Sequence, residues 1–327
     1  MKKSIKYLLV AVAVLALGVV GLLAYVKTAL PDVGEPETIT IESREELIER
    51  GRYLANSVMV CMDCHSTRDW SKFSGPLVEG TLGQGGERFD QAMGLPGVIY
   101  SKNITPAGIS SYTDGELFRL ITTGVTKDRR SMFPLMPYRY YGQLDRDDIY
   151  AVIAYIRSLH PIENPVPDSE LDFPVNFLVN TFPQKASFRK RPEPEEQLAY
   201  GEYLTTAAAC MECHTRDNKG QIDTKVAFGG GREFFFPDGS VVRSSNITPH
   251  ETGMGTWTEQ AFVERFKMYA DSAYSVPLTK PGEFNTIMPW TMYAHMTDED
   301  LKAIFMYLKT VKPIENTVEK FTAAGGM

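Results

Sequence analysis

At 327 residues, with 43% hydrophobic and 23% charged side chains, the chain has the composition of a globular protein and enough length for two modest cores. Its 34 basic and 41 acidic side chains give a net charge of −7, which argues against nucleic-acid binding, since phosphate neutralisation needs a surplus of Lys and Arg. Four cysteines are too few to staple a chain of this size, so their spacing carries the information.

The first element is Tyr7 to Val26 (YLLVAVAVLALGVVGLLAYV), which carries no charge; its 20 residues cover about 30 Å as a helix, the thickness of a bilayer's hydrocarbon core. Lys2, Lys3 and Lys6 precede it and by the positive-inside rule hold the N-terminus in the cytoplasm. A single-pass anchor over residues 1–30 is therefore expected, with the rest of the chain on the periplasmic, extracytoplasmic face of the cytoplasmic (inner) membrane. A cleaved signal peptide is the alternative. It is disfavoured by the length of the apolar run and by the lack of a convincing A-x-A site before Lys27.

The remainder repeats. RGRYLANSVMVCMDCH (Arg50 to His65) matches AYGEYLTTAAACMECH (Ala199 to His214), SKNITP (Ser101 to Pro106) matches SSNITP (Ser244 to Pro249), and Met136 to Val166 matches Met288 to Val318, in the same order. This predicts two copies of one mainly α domain, over residues 42–165 and 198–318. They are joined by a Pro-rich linker, 166–197, whose apolar middle LDFPVNFLVNTF reads as a strap packed along both. The basic cluster Lys185, Arg189, Lys190 and Arg191 reads as a solvated charge run.

In chain order, Ser43-x-x-Glu46 forms a potential capping box for a helix carrying Leu47, Ile48 and Tyr53. Thr113 opens a second helix. Asp145 caps a third with Ile149, Ile153, Ile156 and His160 on one face. In the second copy Thr258 and Thr297 play the corresponding roles, the latter with Leu301, Ile304, Leu308 and Val311. Phe234 to Val242, around Pro-Asp-Gly-Ser, reads as a hairpin, and the glycines at 83, 85 and 86 and at 229–231 read as turns.

All four cysteines fall in Cys61-Met-Asp-Cys64-His65 and Cys210-Met-Glu-Cys213-His214. In C-x-x-C-H, two thiols one helical turn apart can each add to a vinyl group of haem, and the adjacent imidazole then meets the iron axially. Two covalently attached haem c groups are the expected cofactors. A Cys₄ zinc site between the halves would explain neither histidine. For the sixth ligand, the repeat selects Met136 and Met288, 75 and 78 residues after Cys61 and Cys210, each followed by Pro and an aromatic residue. Met132 aligns with Phe284 and is rejected, and His160, His250 and His295 have no histidine at the matching position, which disfavours bis-histidine ligation. Asn103-Ile104-Thr105 and Asn246-Ile247-Thr248 fit a glycosylation sequon, but their repetition beside Pro suggests a loop offering amide and hydroxyl to haem propionates.

On GEYLTTAAACMECHT (Gly201 to Thr215), SSNITPHETGMGTWTEQAF (Ser244 to Phe262), PGEFNTIMPWTMYAHMTDEDLKAIFMYLKT (Pro281 to Thr310) and the FPVN strap, the chain resembles a known family. These are the membrane-anchored cytochromes c that serve periplasmic alcohol, aldehyde and sugar dehydrogenases, with their diheme relatives. The resemblance covers most of residues 45–318. It implies one cytochrome c fold per copy, His65/Met136 and His214/Met288 as axial pairs, and electron transfer in a respiratory chain rather than catalysis. Redox protein partners are implied: a dehydrogenase or quinol-oxidising complex on one side, a terminal oxidase or soluble cytochrome on the other. Dehydrogenase subunits of this kind usually carry three haems, whereas two motifs stand here, and the N-terminal anchor looks like that of diheme subunits of some terminal oxidases. A diheme peroxidase would need an open axial position, and a thiosulfate-oxidising enzyme a cysteine ligand; the matched methionines and the use of every cysteine in C-x-x-C-H count against both.

Overall fold

The computed structural model describes residues 3–218 and 220–325, and the chain is mainly helical. Helix α1 (Lys3–Thr28) is apolar and exposed along its length except at Val26, and its 26 residues are enough to cross a membrane. Lys3 and Lys6 flank its start; Lys2 lies outside the described residues. The segment that follows is bound to the first half. Ile39 and Ile41 pack against the core, the Ile41 N–H donates to the Asp114 carboxylate at 2.9 Å, and Arg146 pairs with Glu37.

The first half contains α2 (Glu45–Tyr53), α3 (Cys61–His65), α4 (Asp114–Thr123), α5 (Tyr138–Tyr141) and α6 (Arg146–Ser158). After a short helix in the connecting strap, α7 (Val175–Leu178), the second half repeats the order with α8 (Gln197–Ala207), α9 (Cys210–Cys213), α10 (Glu259–Lys267), α11 (Trp290–Tyr293) and α12 (Asp298–Leu308). Thr113, Asp145, Thr258 and Thr297 cap their helices through their side-chain oxygens, and Thr113 completes a capping box with Glu116. Ser43 does not: α2 begins with Arg44 at its N-cap and no side-chain cap, one residue later than the expected box requires. Helices α6 and α12 stop before Pro161 and Pro313, whose rings disfavour helical backbone in the preceding residue, so His160 and Val311 fall outside them.

Each half has a small antiparallel sheet. In the first, β1 (Arg88–Phe89), β2 (Gly97–Tyr100) and β3 (Glu170–Leu171) pair in that order, so the start of the strap completes the sheet of the first half. The two-stranded ribbon β4 (Asp217–Asn218) and β5 (Gln221–Ile222) comes next. The expected hairpin forms β6 (Glu233–Phe235) and β7 (Val241–Arg243), and β8 (Phe321–Thr322) adds to it as β3 adds to β2.

In both halves the first and last helices cross at a glycine. A Cβ on Gly51 would stand 1.9 Å from the Ala151 carbonyl oxygen, and one on Gly201 would stand 2.0 Å from that of Ala303. Such contacts leave no room even for a methyl group. Gly51→Ala and Gly201→Ala are each expected to cost about 1–3 kcal/mol, read as a lower midpoint in thermal or denaturant unfolding. The two glycines also correct the sequence alignment. Ten residues separate Gly51 from Cys61 but nine separate Gly201 from Cys210. The extra residue is wound into a π-helical turn, Leu54–Val58, so Arg50 corresponds to Tyr200 and Tyr53 to Tyr203, and the ungapped match slips by one before the cysteines.

One continuous core joins the halves, from Leu54 and Ile153 to Leu204 and Leu308. Across their boundary the Tyr53 hydroxyl donates to Asp300 (2.5 Å) and accepts from the Thr297 N–H (3.0 Å). Tyr203 makes the reciprocal pair with Asp148 (2.7 Å) and the Asp145 N–H (3.1 Å). Burial alone would raise the Asp148 carboxyl. The bidentate Arg50 pair (2.9 Å for both bonds), the charge of Arg191 and the Tyr203 hydroxyl together hold it below the usual carboxylate range. Arg191 and Arg189 are therefore not solvated linker charges: the first reaches Asp148 and the second Glu202 and Thr206. Lys185 and Lys190 are exposed, as expected.

Candidate haem-binding sites

Each C-x-x-C-H segment is set off from the preceding helix by a non-glycine residue in left-handed conformation, Val60 (φ 45°) or Ala209 (φ 48°). For β-branched Val60 this is a strained backbone that surrounding packing must hold. The bend turns the short helix so that its cysteines, three residues apart, share one face. Cys61 and Cys210 are half-buried and Cys64 and Cys213 exposed, yet burial pushes the Cys61, Cys64 and Cys210 thiols up to about 12 and Cys213 to about 11. Each thiol is thus accessible at its surface yet crowded by enough surrounding protein to be poorly hydrated.

The histidines are fixed from behind. The His65 Nδ1–H donates to the Lys102 carbonyl at 2.7 Å and the His214 Nδ1–H to that of Ser245 at 2.8 Å. A carbonyl only accepts, so the proton belongs on Nδ1 and the Nε2 lone pair is left for a metal. Burial, opposed in part by that hydrogen bond, keeps both imidazoles below their ordinary pKa, hence neutral as a ligand must be. The carbonyls of His65 and His214 accept from Gly85 N (2.9 Å) and Gly230 N (2.8 Å). At Gly85 and Gly230 the chain passes so close to Asn103 and Asn246 that a Cβ would stand 2.5 and 2.4 Å from their amide nitrogens.

This arrangement gives the repeated Asn-Ile-Thr a role different from the expected one. Asn103 and Asn246 are buried, and their amide groups donate to the Ile162 and Ile314 carbonyls, both at 2.7 Å. Their Oδ1 atoms accept from the N–H and hydroxyl of Thr105 and Thr248, whose hydroxyls in turn accept from Ile162 N and Ile314 N. The amides and hydroxyls are engaged in these internal bonds and the asparagines are buried, so the repeated motif serves the loop rather than presenting a surface sequon. They staple the loop that carries the histidine's acceptor to the Pro-Ile-Glu-Asn segment after the last helix. Asn164 and Asn316 close the staple by donating to Gln84 O (3.0 Å) and Gly229 O (2.8 Å).

Met136 and Met288 are half-buried against the core, each in the loop entering α5 or α11. The Met288 loop is held by the first half. Ser74 donates its hydroxyl to the Met288 carbonyl at 2.6 Å and accepts from Trp290 N, while its own N–H donates to buried Asn285. No local pattern announces Ser74, whose partners lie more than 200 residues away. His160 and His295 are exposed and His250 is tied to Thr252. Among the described residues, no group of three or more His, Cys, Asp or Glu is gathered to hold a metal ion, so the cysteines do not converge on a zinc site.

Tyr141, its hydroxyl donating to the Met59 carbonyl (3.2 Å), is raised well above its ordinary pKa by burial, with Cys61, Cys64 and Cys213 adding to the shift. Tyr293, donating to the Ala208 carbonyl (3.1 Å), is raised in the same way, with Cys210, Cys213, Tyr141 and Asp63 contributing. Asp63 pairs with Arg68 (3.0 Å) and Glu212 with Arg232 (2.8 Å), so the acidic residue of each motif has a basic partner within its own half.

The cytochrome c family matches residues 198–312. Among curated proteins, the cytochrome c subunit of a quinone alcohol dehydrogenase from Gluconacetobacter polyoxogenes is 24% identical over 301 residues, 86% of this chain and 60% of the relative. The fructose dehydrogenase cytochrome subunit of Gluconobacter japonicus is 29% identical over 297 residues, covering 85% of this chain and 56% of the relative. A diheme cytochrome c-type protein of Cereibacter sphaeroides is 26% identical over 268 residues, 78% of this chain and 83% of the relative. The chain thus spans about 60% of the length of the dehydrogenase subunits it matches. Residues 198–312 thus match the cytochrome c family, whose members carry covalently bound haem c, and over most of its length the chain is similar to the cytochrome c subunits of dehydrogenases and to a diheme cytochrome.

Proposed function

We propose that the chain is a membrane-anchored diheme cytochrome c, with two tandem cytochrome c domains at 42–165 and 198–318 behind an anchor at 1–30. In this reading Cys61 and Cys64 attach one haem c and Cys210 and Cys213 the other, with His65/Met136 and His214/Met288 as axial pairs. Haem c held in such a cradle supplies a one-electron ferrous/ferric couple. The chain then carries single electrons on the extracytoplasmic side of the inner membrane. They pass between a dehydrogenase or quinol-oxidising complex and a terminal oxidase or soluble carrier.

The observation that carries the reading is the doubled cradle. In both halves the same carbonyl fixes Nδ1, the same glycine closes behind the histidine, and the same Asn–Thr staple holds the loop. A site built twice around a neutral histidine with Nε2 free suits a permanently ligated iron. The net charge of −7 favours a partner with a basic docking face. The test is a reductive titration of the full chain in detergent, which is expected to take up two electrons per chain, with neither peroxide nor thiosulfate turned over. Uptake of one electron, or sustained peroxide consumption, would replace the carrier with a different reading for at least one half.

A further inference from the structure

We propose that the strap between the halves is a second membrane contact: Phe173 and Leu178, with Phe177 beside them, insert into the lipid interface next to helix α1 and hold the protein at a fixed tilt to the bilayer. This rests on the reading of α1 as a retained anchor. The C-terminal end of α1 packs on α7 and on the turn Val179–Thr181; Val26, its one buried residue, and Val179 are both covered. Lys27, the first charge after the apolar run, directly follows Val26, so the strap meets α1 where the helix leaves the hydrocarbon.

At that level the strap presents apolar side chains outward. Phe173 is 84% exposed and Leu178 42%, in a protein whose other segments bury most of their large side chains. The polar groups around them suit a headgroup region. Tyr25, exposed on α1, stands at the depth where aromatic residues concentrate, and Lys27 supplies positive charge that anionic lipids attract, while Lys185 is paired with Asp32 at 3.8 Å. The strap is also bound to the protein behind it. Strand β3 joins the sheet of the first half, the Arg139 guanidinium donates to the Phe182 carbonyl at 2.9 Å, and Phe182 packs on Phe133. A contact made by so firmly held a segment fixes orientation as well as attachment, since a lone helix followed by a flexible tether would leave the domains free to swing.

The test uses the full chain in nanodiscs of phosphatidylcholine and phosphatidylglycerol containing a phospholipid with a photoactivatable diazirine near the headgroup end of its acyl chain. Irradiation and peptide mapping are expected to place adducts on α1 and on residues 173–178. The double substitution Phe173→Asp, Leu178→Asp, at exposed positions, is expected to lower the strap adducts by about fivefold or more. It should leave those on α1 and the visible absorption spectrum unchanged. Adducts on α1 without adducts on the strap would overturn the proposal and leave the exposed strap to a protein partner. Strap adducts undiminished by the double substitution would overturn it as well. Absence of adducts on both would instead refute the anchor on which it rests, a separate outcome.

Discussion

Replacing Cys61 and Cys64 together by Ala is expected to halve the covalent haem of the chain, from two groups to one, leaving the remaining group attached to the peptide containing Cys210 and Cys213. Haem-stained gels and intact mass report the loss directly. Removing the thiols deletes the attachment but not the rest of the cradle: the His65 bond to Lys102 and the Asn103 staple remain. The larger consequence is structural. Met62, Met59, Leu54 and Tyr141 are buried in the core beside the motif, and losing a haem from their side is expected to leave either a cavity or a collapse of those side chains. Because one core runs through both halves, the loss is expected to lower the unfolding midpoint of the whole chain rather than of one half. Full haem content in the variant, or zinc in place of haem in the wild type, would end the assignment of these cysteines.

The elements legible in the sequence were those with a local signature. The four side-chain caps at Thr113, Asp145, Thr258 and Thr297 were readable because an N-cap and the amide it serves are neighbours in the chain. The cysteine motifs and the recurrence of the same blocks were readable for the same reason. What escaped was set by contacts between distant segments. The π turn at Leu54–Val58 left no compositional mark, and only the two glycine crossings reveal that the ungapped match had slipped. The Asn103 and Asn246 amides looked available because their acceptors, Ile162 and Ile314, lie 59 and 68 residues on. Arg189 and Arg191 looked solvated because their partners sit on helices of the halves that flank the strap, Glu202 and Thr206 in the second and Asp148 in the first. Sequence alone gives a buried carboxylate no address. The burial of Asp148 emerges only when Arg50, Arg191 and Tyr203 are seen to converge on it.

Met288→Ala is expected to open the second haem to carbon monoxide and lower its potential, with the first haem little changed. Met136→Ala is expected to do the converse. The substitution is informative because the Met288 loop is held by its backbone: the carbonyl accepts from Ser74 and Trp290, and the Met288 N–H donates to the Thr286 hydroxyl at 3.1 Å. Truncating the side chain therefore removes the thioether and leaves the loop where it was. A thioether favours the ferrous state, so its loss is expected to shift the potential downward by on the order of 0.1 V, a fraction of the roughly 0.8 V that axial ligands span. Spectroelectrochemistry on the full chain should then resolve one shifted and one unshifted wave, and carbon monoxide should perturb the Soret band of only half the reduced haem. His214, bonded to the Ser245 carbonyl, stays in place in the variant, so the change reports on the sixth position alone. Ready carbon monoxide binding by the reduced wild type, together with a spectroscopically silent Met288→Ala, would show that this iron is not held by the thioether and that the second domain offers an open site.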